Sequence, residues 1–255
     1  MLRADEQLDD LQYKGYKIIQ KINGFKYGTD SVLLVKFTLC SLEKKIGRCQ
    51  QLSVPKPTLV DLGTGSGIMP LLLGGRGAFR KISGLEIQHE YADMAARSVI
   101  RNGLTDEIEI VEGDIRNAVR IYGKASTDCV ITNPPYKKAG SGLPNATDSL
   151  TIARHEMLCR LEDVIAAAAG ILKPRGYFFM IHRPERLADT IEQMRLHRLE
   201  PKRIRFVYPK PDRAPSMFLI MATKQGGRDL HIEKPFLLMD AEGNETEELK
   251  AAYAY

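Results

Sequence analysis

From Thr58 onward, short apolar runs alternate with stretches in which apolar residues recur every three or four positions. The apolar runs predict strands at 58–62 (TLVDL), 81–87 (KISGLEI), 107–111 (EIEIV) and 127–132 (TDCVIT). The periodic stretches between them predict helices near 66–74, 88–102 and 114–121. A longer helix is expected over 150–171, where Ile152, Leu158, Leu161, Val164, Ile165 and Ala168 give an approximate three- to four-residue period. Pro174-Arg175-Gly176 then makes a turn, GYFFMIHR a strand, 184–197 a helix, and 202–208 and 216–223 two last strands. This alternation implies an α/β fold with a mostly parallel sheet flanked by helices. Ligands in such sheets bind beyond the carboxyl ends of the strands.

The first 57 residues have a different character. In GYKIIQKINGFKY, two short strand-like runs flank Asn23-Gly24, a dipeptide suited to a hairpin turn. Thr29 or Asp30 can then cap a short apolar helix over SVLLVKFTL. The polar stretch 41–57, with Pro55 and Pro57, reads as a connector. The expected division is an extension and connector at 1–57, a core at 58–225 and an acidic tail segment at 226–255.

Charge changes this picture by suggesting a partner. The net charge is +5, yet residues 240–255 hold five acids and one lysine, so residues 1–239 carry +9. Between Lys173 and Arg213 there are eleven Lys or Arg against five Asp or Glu. A stretch of this kind attracts polyanions, of which nucleic acid is the commonest; on charge alone a merely soluble basic surface is an equal alternative. Cys40, Cys49, Cys129 and Cys159 show no paired spacing, which fits reduced thiols in a cytoplasmic protein. The opening MLRADEQLDD is too charged for a signal peptide, and no apolar run reaches the ~18 residues a bilayer needs. The expectation is a cytoplasmic, monomeric protein without a membrane segment.

The candidate chemistry lies at the predicted strand ends. Asp61-Leu62-Gly63-Thr64-Gly65-Ser66-Gly67 follows the first core strand. Its glycines let a backbone turn approach a ligand, and the next helix offers unpaired N–H groups. The spacing is neither that of a dinucleotide fingerprint nor that of a P-loop. Such a turn can take the amino-acid end of a nucleoside cofactor, with Asp61 facing an ammonium or its water shell; alternatively it is a Gly-rich turn without a ligand. Glu86 ends the second core strand, where a carboxylate can accept two ribose hydroxyls. Asp114, after the third, can accept the exocyclic amine of an adenine.

The most specific motif is Asn133-Pro134-Pro135-Tyr136, directly after TDCVIT. The prolines lack N–H groups and hold the backbone extended, so the Pro134 carbonyl can point outward beside the Asn133 amide oxygen. Together these are two acceptors for the two hydrogens of one planar NH2 group, and Tyr136 offers a flat face to stack on it. DLGTGSG, LEI, EGD and NPPY, in this order, resemble the class I S-adenosylmethionine-dependent methyltransferases with the amino-methyltransferase signature. FKYGTDSVLL, NPPYKKAGSGLPN, Ala153-Arg154-His155-Glu156 and LLMDAEGNETEEL resemble more narrowly the tRNA1(Val) adenine-N6-methyltransferase family. That resemblance implies a Rossmann-like seven-stranded sheet with a reversed last strand, S-adenosylmethionine as cofactor, and an adenine of a tRNA anticodon loop as substrate.

Lys137 and Lys138, standing where aromatic residues are frequent in such enzymes, are candidates for phosphate contact, as against a solvated loop. Arg154 and His155 are candidates for substrate contact, as against helix capping, and Arg203 and Arg205, with Arg198 and Lys202, for an RNA backbone, as against a plain basic surface. His182 reads as structural, and His89, His197 and His231 show no ligand spacing, so no metal is assigned. A sulfonium cofactor carries an activated methyl group, and the protein need only align nitrogen, methyl and sulfur. A protein glutamine-N5 methyltransferase would share this chemistry but carries an amino-terminal helical domain, for which about fifty residues are too few. A DNA adenine methyltransferase and a catalytically silent RNA-binding protein are the remaining alternatives.

Overall fold

The computed structural model describes residues 2–23, 28–135 and 160–253. An antiparallel pair, β1 (Glu6–Asp10) and β2 (Lys17–Lys21), precedes the long helix α1 (Thr29–Gln51). The core then alternates: β3 (Thr58–Leu62), α2 (Ile68–Gly74), β4 (Lys81–Glu86), α3 (His89–Arg101), β5 (Ile108–Glu112), α4 (Ala118–Tyr122) and β6 (Thr127–Thr132). After the undescribed segment come α5 (Leu161–Ile171), β7 (Leu172–His182), α6 (Leu187–Leu196), β8 (Leu199–Tyr208) and β9 (Met217–Lys224). Two-residue strands β10 (His231–Ile232) and β11 (Phe236–Leu237) and the short helix α7 (Glu247–Tyr253) follow.

The main sheet runs β5-β4-β3-β6-β7-β9-β8, with β10 and β11 both paired to β8. Strands β3 to β7 are parallel to one another, and β9 is antiparallel to both of its neighbours. The expected seven-stranded sheet with a reversed last strand is therefore present, widened by two short strands. Chain order reverses at β3, which has β4 on one side and β6 on the other, so the crevice for a ligand opens beyond the ends of β3 and β6. The central strands are apolar on both faces, as a sheet covered on both sides requires. Leu59 and Ile131 face one core with Phe179 and Leu219, and Val60 and Val130 face the other with Phe178 and Ile220.

The amino-terminal region departs from expectation in three respects. The run 17–21 pairs with 6–10 through a turn in which Gln12, Lys14 and Gly15 have positive φ; Gly24 of the expected Asn23-Gly24 turn and the run after it, 25–27, lie outside the described residues. The partner strand EQLDD carries acids where alternation would look for apolar residues, because ion pairs hold it. The buried Glu6 carboxylate takes Arg97 of α3 at 2.5 Å, and Asp5 and Asp10 pair with Lys21 and Lys17. Secondly, α1 continues through the expected connector to Gln51. Leu42 is buried and Ile46 packs on the core, so the polar character of 41–51 is the solvent face of a helix. Thirdly, neither Thr29 nor Asp30 caps α1: the N-cap is Gly28 in an extended conformation, and the Thr29 hydroxyl meets the Tyr253 hydroxyl of α7 at 2.9 Å.

The acidic tail is built onto the body. Leu249 and Ala252 are buried, and β10 and β11 lie along the β8 edge. No helix among the described residues is long and apolar enough to cross a membrane.

Candidate active site

The glycine turn between β3 and α2 is shaped by its backbone. Gly63, Gly65 and Gly67 have φ of +78°, +56° and +86°, a region L side chains rarely adopt. The Gly63 and Thr64 amides both donate to the Leu85 carbonyl of β4, at 2.9 and 3.0 Å, which pulls the turn against the neighbouring strand. A Cβ on Gly65 would meet nothing within 4 Å, so the turn opens onto free space that a ligand can enter. Gly67 has a different reason: a Cβ there would lie 3.0 Å from the Ala95 Cβ of α3. Gly67→Ala is therefore expected to lower stability by about 1–3 kcal/mol through strain and overpacking, measurable by urea denaturation.

Asp61 sits under this turn and is completely buried. Its Oδ2 accepts the Thr64 hydroxyl at 2.7 Å, while its Oδ1 has no hydrogen-bond partner. Burial pushes the carboxyl up to about 7; the Thr64 hydroxyl opposes the rise and the nearby Glu86 adds to it. A buried acceptor without a donor costs on the order of 1–3 kcal/mol, so the oxygen is poised for a cation or a bridging water. Glu86, also buried, accepts the Gly65 amide on one oxygen and the Gln88 amide on the other, both at 2.9 Å. These bonds fix its carboxylate at the end of β4 and leave further lone pairs. Asp114, beyond β5, caps a 3-10 turn (Ile115–Asn117) through the Arg116 amide at 2.8 Å and holds the Arg116 guanidinium. The Arg116 bond, followed by its backbone amide, keeps the Asp114 carboxyl below its ordinary range. Any further donor to that carboxylate must therefore share it with Arg116.

Asn133 follows β6 directly, on the other side of the switch point from the β4 end. Its amide nitrogen donates to the Ser31 hydroxyl of α1 at 3.2 Å, which fixes the plane of the amide. Ser31 is buried. Thr132 anchors the same strand end by donating its hydroxyl to the Leu62 carbonyl at 2.8 Å. Pro134 is buried and Pro135 exposed, which puts the motif at the rim of the crevice. Tyr136, Lys137, Lys138, Arg154 and His155 lie outside the described residues. The structure thus brings Asp61, Glu86 and Asn133 to the ends of adjacent strands. Ser31 is the member that sequence reasoning missed. It stood within FKYGTDSVLL, but no spacing rule links it to a residue 102 positions on.

Arg203 and Arg205 stand elsewhere. Through the strand register, Arg205 is level with Asn133 but three strands away, about 14 Å at the usual spacing. Arg203 pairs with Glu233 at 2.5 Å, donates to the Ser41 hydroxyl and lies over Phe37. Arg205 pairs with Glu248 at 2.8 Å, donates to the Lys234 carbonyl and lies over Phe236. Both guanidinium groups thus tie the 231–253 segment to the sheet. His182, expected to be structural, is buried and stacked on Phe218; burial lowers its pKa to about 4. Among the described residues no three His, Cys, Asp or Glu side chains are grouped to hold a metal.

A parallel sheet with one reversed strand, a glycine cradle over a buried carboxylate and an Asn-Pro-Pro at the switch point together define a Rossmann-like nucleoside-cofactor fold. The chain belongs to the methyltransferase small domain family, whose model matches residues 49–194. Among its relatives is the tRNA1(Val) (adenine(37)-N6)-methyltransferase of Porphyromonas gingivalis, 30% identical over 83% of this chain and 79% of that protein. The protein of the same name from Bacteroides fragilis is 27% identical over 83% of each. Similar solved structures are a predicted O-methyltransferase from Agrobacterium tumefaciens and a 16S rRNA N2 G1207 methyltransferase from T. thermophilus in complex with AdoMet and guanosine. The first has TM-score 0.62 and 22% identity over 77% of this chain and 88% of that one. The second has TM-score 0.56 and 18% identity over 86% of this chain and 50% of that one. At these identities the two structures speak to the fold alone.

Proposed function

We propose that the protein transfers a methyl group from S-adenosylmethionine to the N6 amine of an adenine in tRNA, with the anticodon loop of tRNA1(Val) as the target. The observation that carries the reading is the Asn133 amide, held in plane by Ser31 across the crevice from the unpartnered Asp61 oxygen. The relatives' names supply the substrate class, and the residues present fit the cofactor. Asp61 Oδ1 takes its ammonium or the water that bridges to it, Glu86 takes the ribose hydroxyls, and Asp114 takes the adenine amine. The open face above Gly65 gives the amino-acid moiety room. When bound, the cofactor supplies an electrophilic methyl group on a sulfonium.

The remaining chemistry is positioning. The Asn133 oxygen and the Pro134 carbonyl accept the two hydrogens of the target amine, which turns its lone pair toward the methyl group. The base enters by leaving its stack, a step that costs less in an RNA loop than in a duplex. Tyr136 stacks on the base, with Lys137, Lys138, Arg154 and His155 as the neighbouring substrate contacts. The nitrogen becomes transiently cationic and gives its proton to water, so Asn133 works as an acceptor and need not act as a base. We take the protein to be cytoplasmic and monomeric.

Tritiated-methyl transfer onto total tRNA and total protein, run side by side, tests the reading. Label in tRNA that digests to N6-methyladenosine is the expected result; label only in protein would mark a glutamine-directed enzyme instead. Ser31 enters as a positioning residue. Ser31→Ala should lower kcat up to about tenfold, the equivalent of one net hydrogen bond, with cofactor affinity unchanged. Ser31→Thr, which keeps the hydroxyl, should restore most of the rate in the same assay.

A further inference from the structure

The basic run between Lys173 and Arg213 is divided by the fold. Arg183, Arg186, Lys210 and Arg213 follow β7 and β8 at the carboxyl end of the sheet, near the site, but Glu185, Asp189 and Asp212 lie among them. Arg203 and Arg205 hold the 231–253 segment. The rest gather at the opposite end of the sheet, where other parts of the chain join them.

That amino-terminal edge is formed by four neighbouring strands. Lys124 precedes β6, Arg175 lies in the first part of β7, Lys224 ends β9, and Arg198 and Lys202 flank the start of β8. Arg228 follows in the loop after β9. Strand register brings these segments together: Thr127 is opposite Leu172, Tyr177 opposite Thr223, and Leu199 opposite Lys224. Burial first, and then Arg198 and Lys124, lower the Lys224 pKa, so these three cations feel one another. Lys224 donates only to the His197 carbonyl, at 3.0 Å, among its described contacts. The acids at these strand ends, Asp128 and Glu200, are paired with Lys173 and Arg195. Asp229 is the one acid beside Arg228, and no carboxylate among the described residues lies within ion-pair distance of the six cations.

The backbone at this edge is unusual as well. Ala125, Arg175, Arg198 and Gln225 all have positive φ, between 52° and 65°, four of the seven such non-glycine residues described. Each costs free energy that the surroundings must sustain, and such residues concentrate where a surface has a task. The expected turn at 174–176 is instead an irregular stretch of β7 where its pairing with β6 shifts register, and it carries Arg175; Arg198 stands just before β8, and both are exposed. Like charges held together without carboxylates repel, and a polyanion relieves that repulsion by replacing condensed counterions.

We propose that this edge is a second RNA-binding surface that grips the phosphate backbone remote from the methylated base. It rests on the reading above only for the identity of the RNA as substrate. β6 alone separates the edge from Asn133, a distance of about 20 Å over its six residues. Contacts there carry no base sequence; they set the register in which the substrate lies on the protein.

The test is Lys124→Glu/Arg198→Glu/Lys202→Glu, compared with an equal charge change at Lys44→Glu/Arg80→Glu/Arg101→Glu, three exposed positions outside the four strands β6, β7, β9 and β8. Affinity for full-length tRNA is measured against salt, with S-adenosylmethionine affinity and Tm as controls of folding. The edge triple should weaken tRNA binding on the order of tenfold at 0.15 M salt and flatten the log–log salt slope by roughly 2, at about 0.7 per phosphate contact. The control triple should do neither, and methylation of a short anticodon stem-loop should be equal in all three proteins. An edge triple indistinguishable from the control triple, or a wild-type protein that does not bind tRNA, overturns the inference. Binding lost in the edge triple, in a protein that methylates no RNA, sustains the surface and removes the adenine reading instead.

Discussion

Replacing Asn133 by alanine is expected to cut methyl transfer by about 10²–10³-fold while leaving S-adenosylmethionine affinity almost unchanged. The size follows from analogy with the loss of one preorganised hydrogen-bonding group in an active site, about 2.7–4 kcal/mol in the barrier. The separation of rate from affinity follows from geometry. Asn133 lies beyond β6 and is oriented by Ser31, whereas Asp61 and Glu86 lie beneath and beside the glycine turn after β3. Single-turnover kinetics with excess enzyme would isolate the chemical step from product release. Asn133→Asp keeps an acceptor oxygen and should fall less far than alanine. A variant with near-normal single-turnover rate would remove Asn133 from the mechanism.

The second large effect concerns Asp61. In the cofactor-free protein its carboxyl is pushed up to about 7, chiefly by burial. A cationic ammonium binds the ionised form, so cofactor affinity should level off above about pH 7 and fall about tenfold per pH unit below it. Calorimetry in buffers of different ionisation enthalpy should detect one proton released on binding under mildly acidic conditions. The stability of the free protein carries the opposite sign. The folded state binds a proton that the unfolded chain gives up at the ordinary aspartate pKa, so stability declines as pH rises from about 4 to about 7. Asp61→Asn removes that penalty. It should raise the Tm of the free protein at pH 8 and abolish the rise in Tm that the cofactor gives wild type. A variant still stabilised by the cofactor would show that the ammonium is held elsewhere.

What could be read from the chain follows from how locally each feature is encoded. Strands β3 to β6 are apolar because both faces are covered, and their ends carry motifs whose function needs special backbone: glycines at positive φ and prolines without N–H. Those signals span seven residues at most and need no knowledge of the remainder of the fold. β1 was invisible because its acids are held by lysines and arginines from β2 and α3, a pairing without local periodicity. The carboxyl half of α1 reads in sequence as a connector because few of its residues, Leu42 and Ile46 among them, touch the core. The basic run was legible as charge but not as geometry, since the turns of the sheet send neighbouring residues to opposite ends. Ser31 was lost for the same reason: its partner is set by how α1 lies on the sheet.

The meeting of Thr29 with Tyr253 has a consequence for the order in which the protein is made. The two hydroxyls are separated by 224 positions in the chain, and the helix between Thr29 and Gln51 also packs on strands that begin only at Leu172. A chain emerging from the ribosome therefore exposes the amino-terminal helix until those strands and the 247–253 helix have followed, with Val32, Leu33 and Leu34 lacking their final neighbours. Contacts this distant form late and slow the search for the native state. The Ser31 side chain that orients Asn133 sits two residues from that late contact. The orientation of Asn133 is thus tied, through the first turn of one helix, to a contact that closes only after the chain has reached Tyr253.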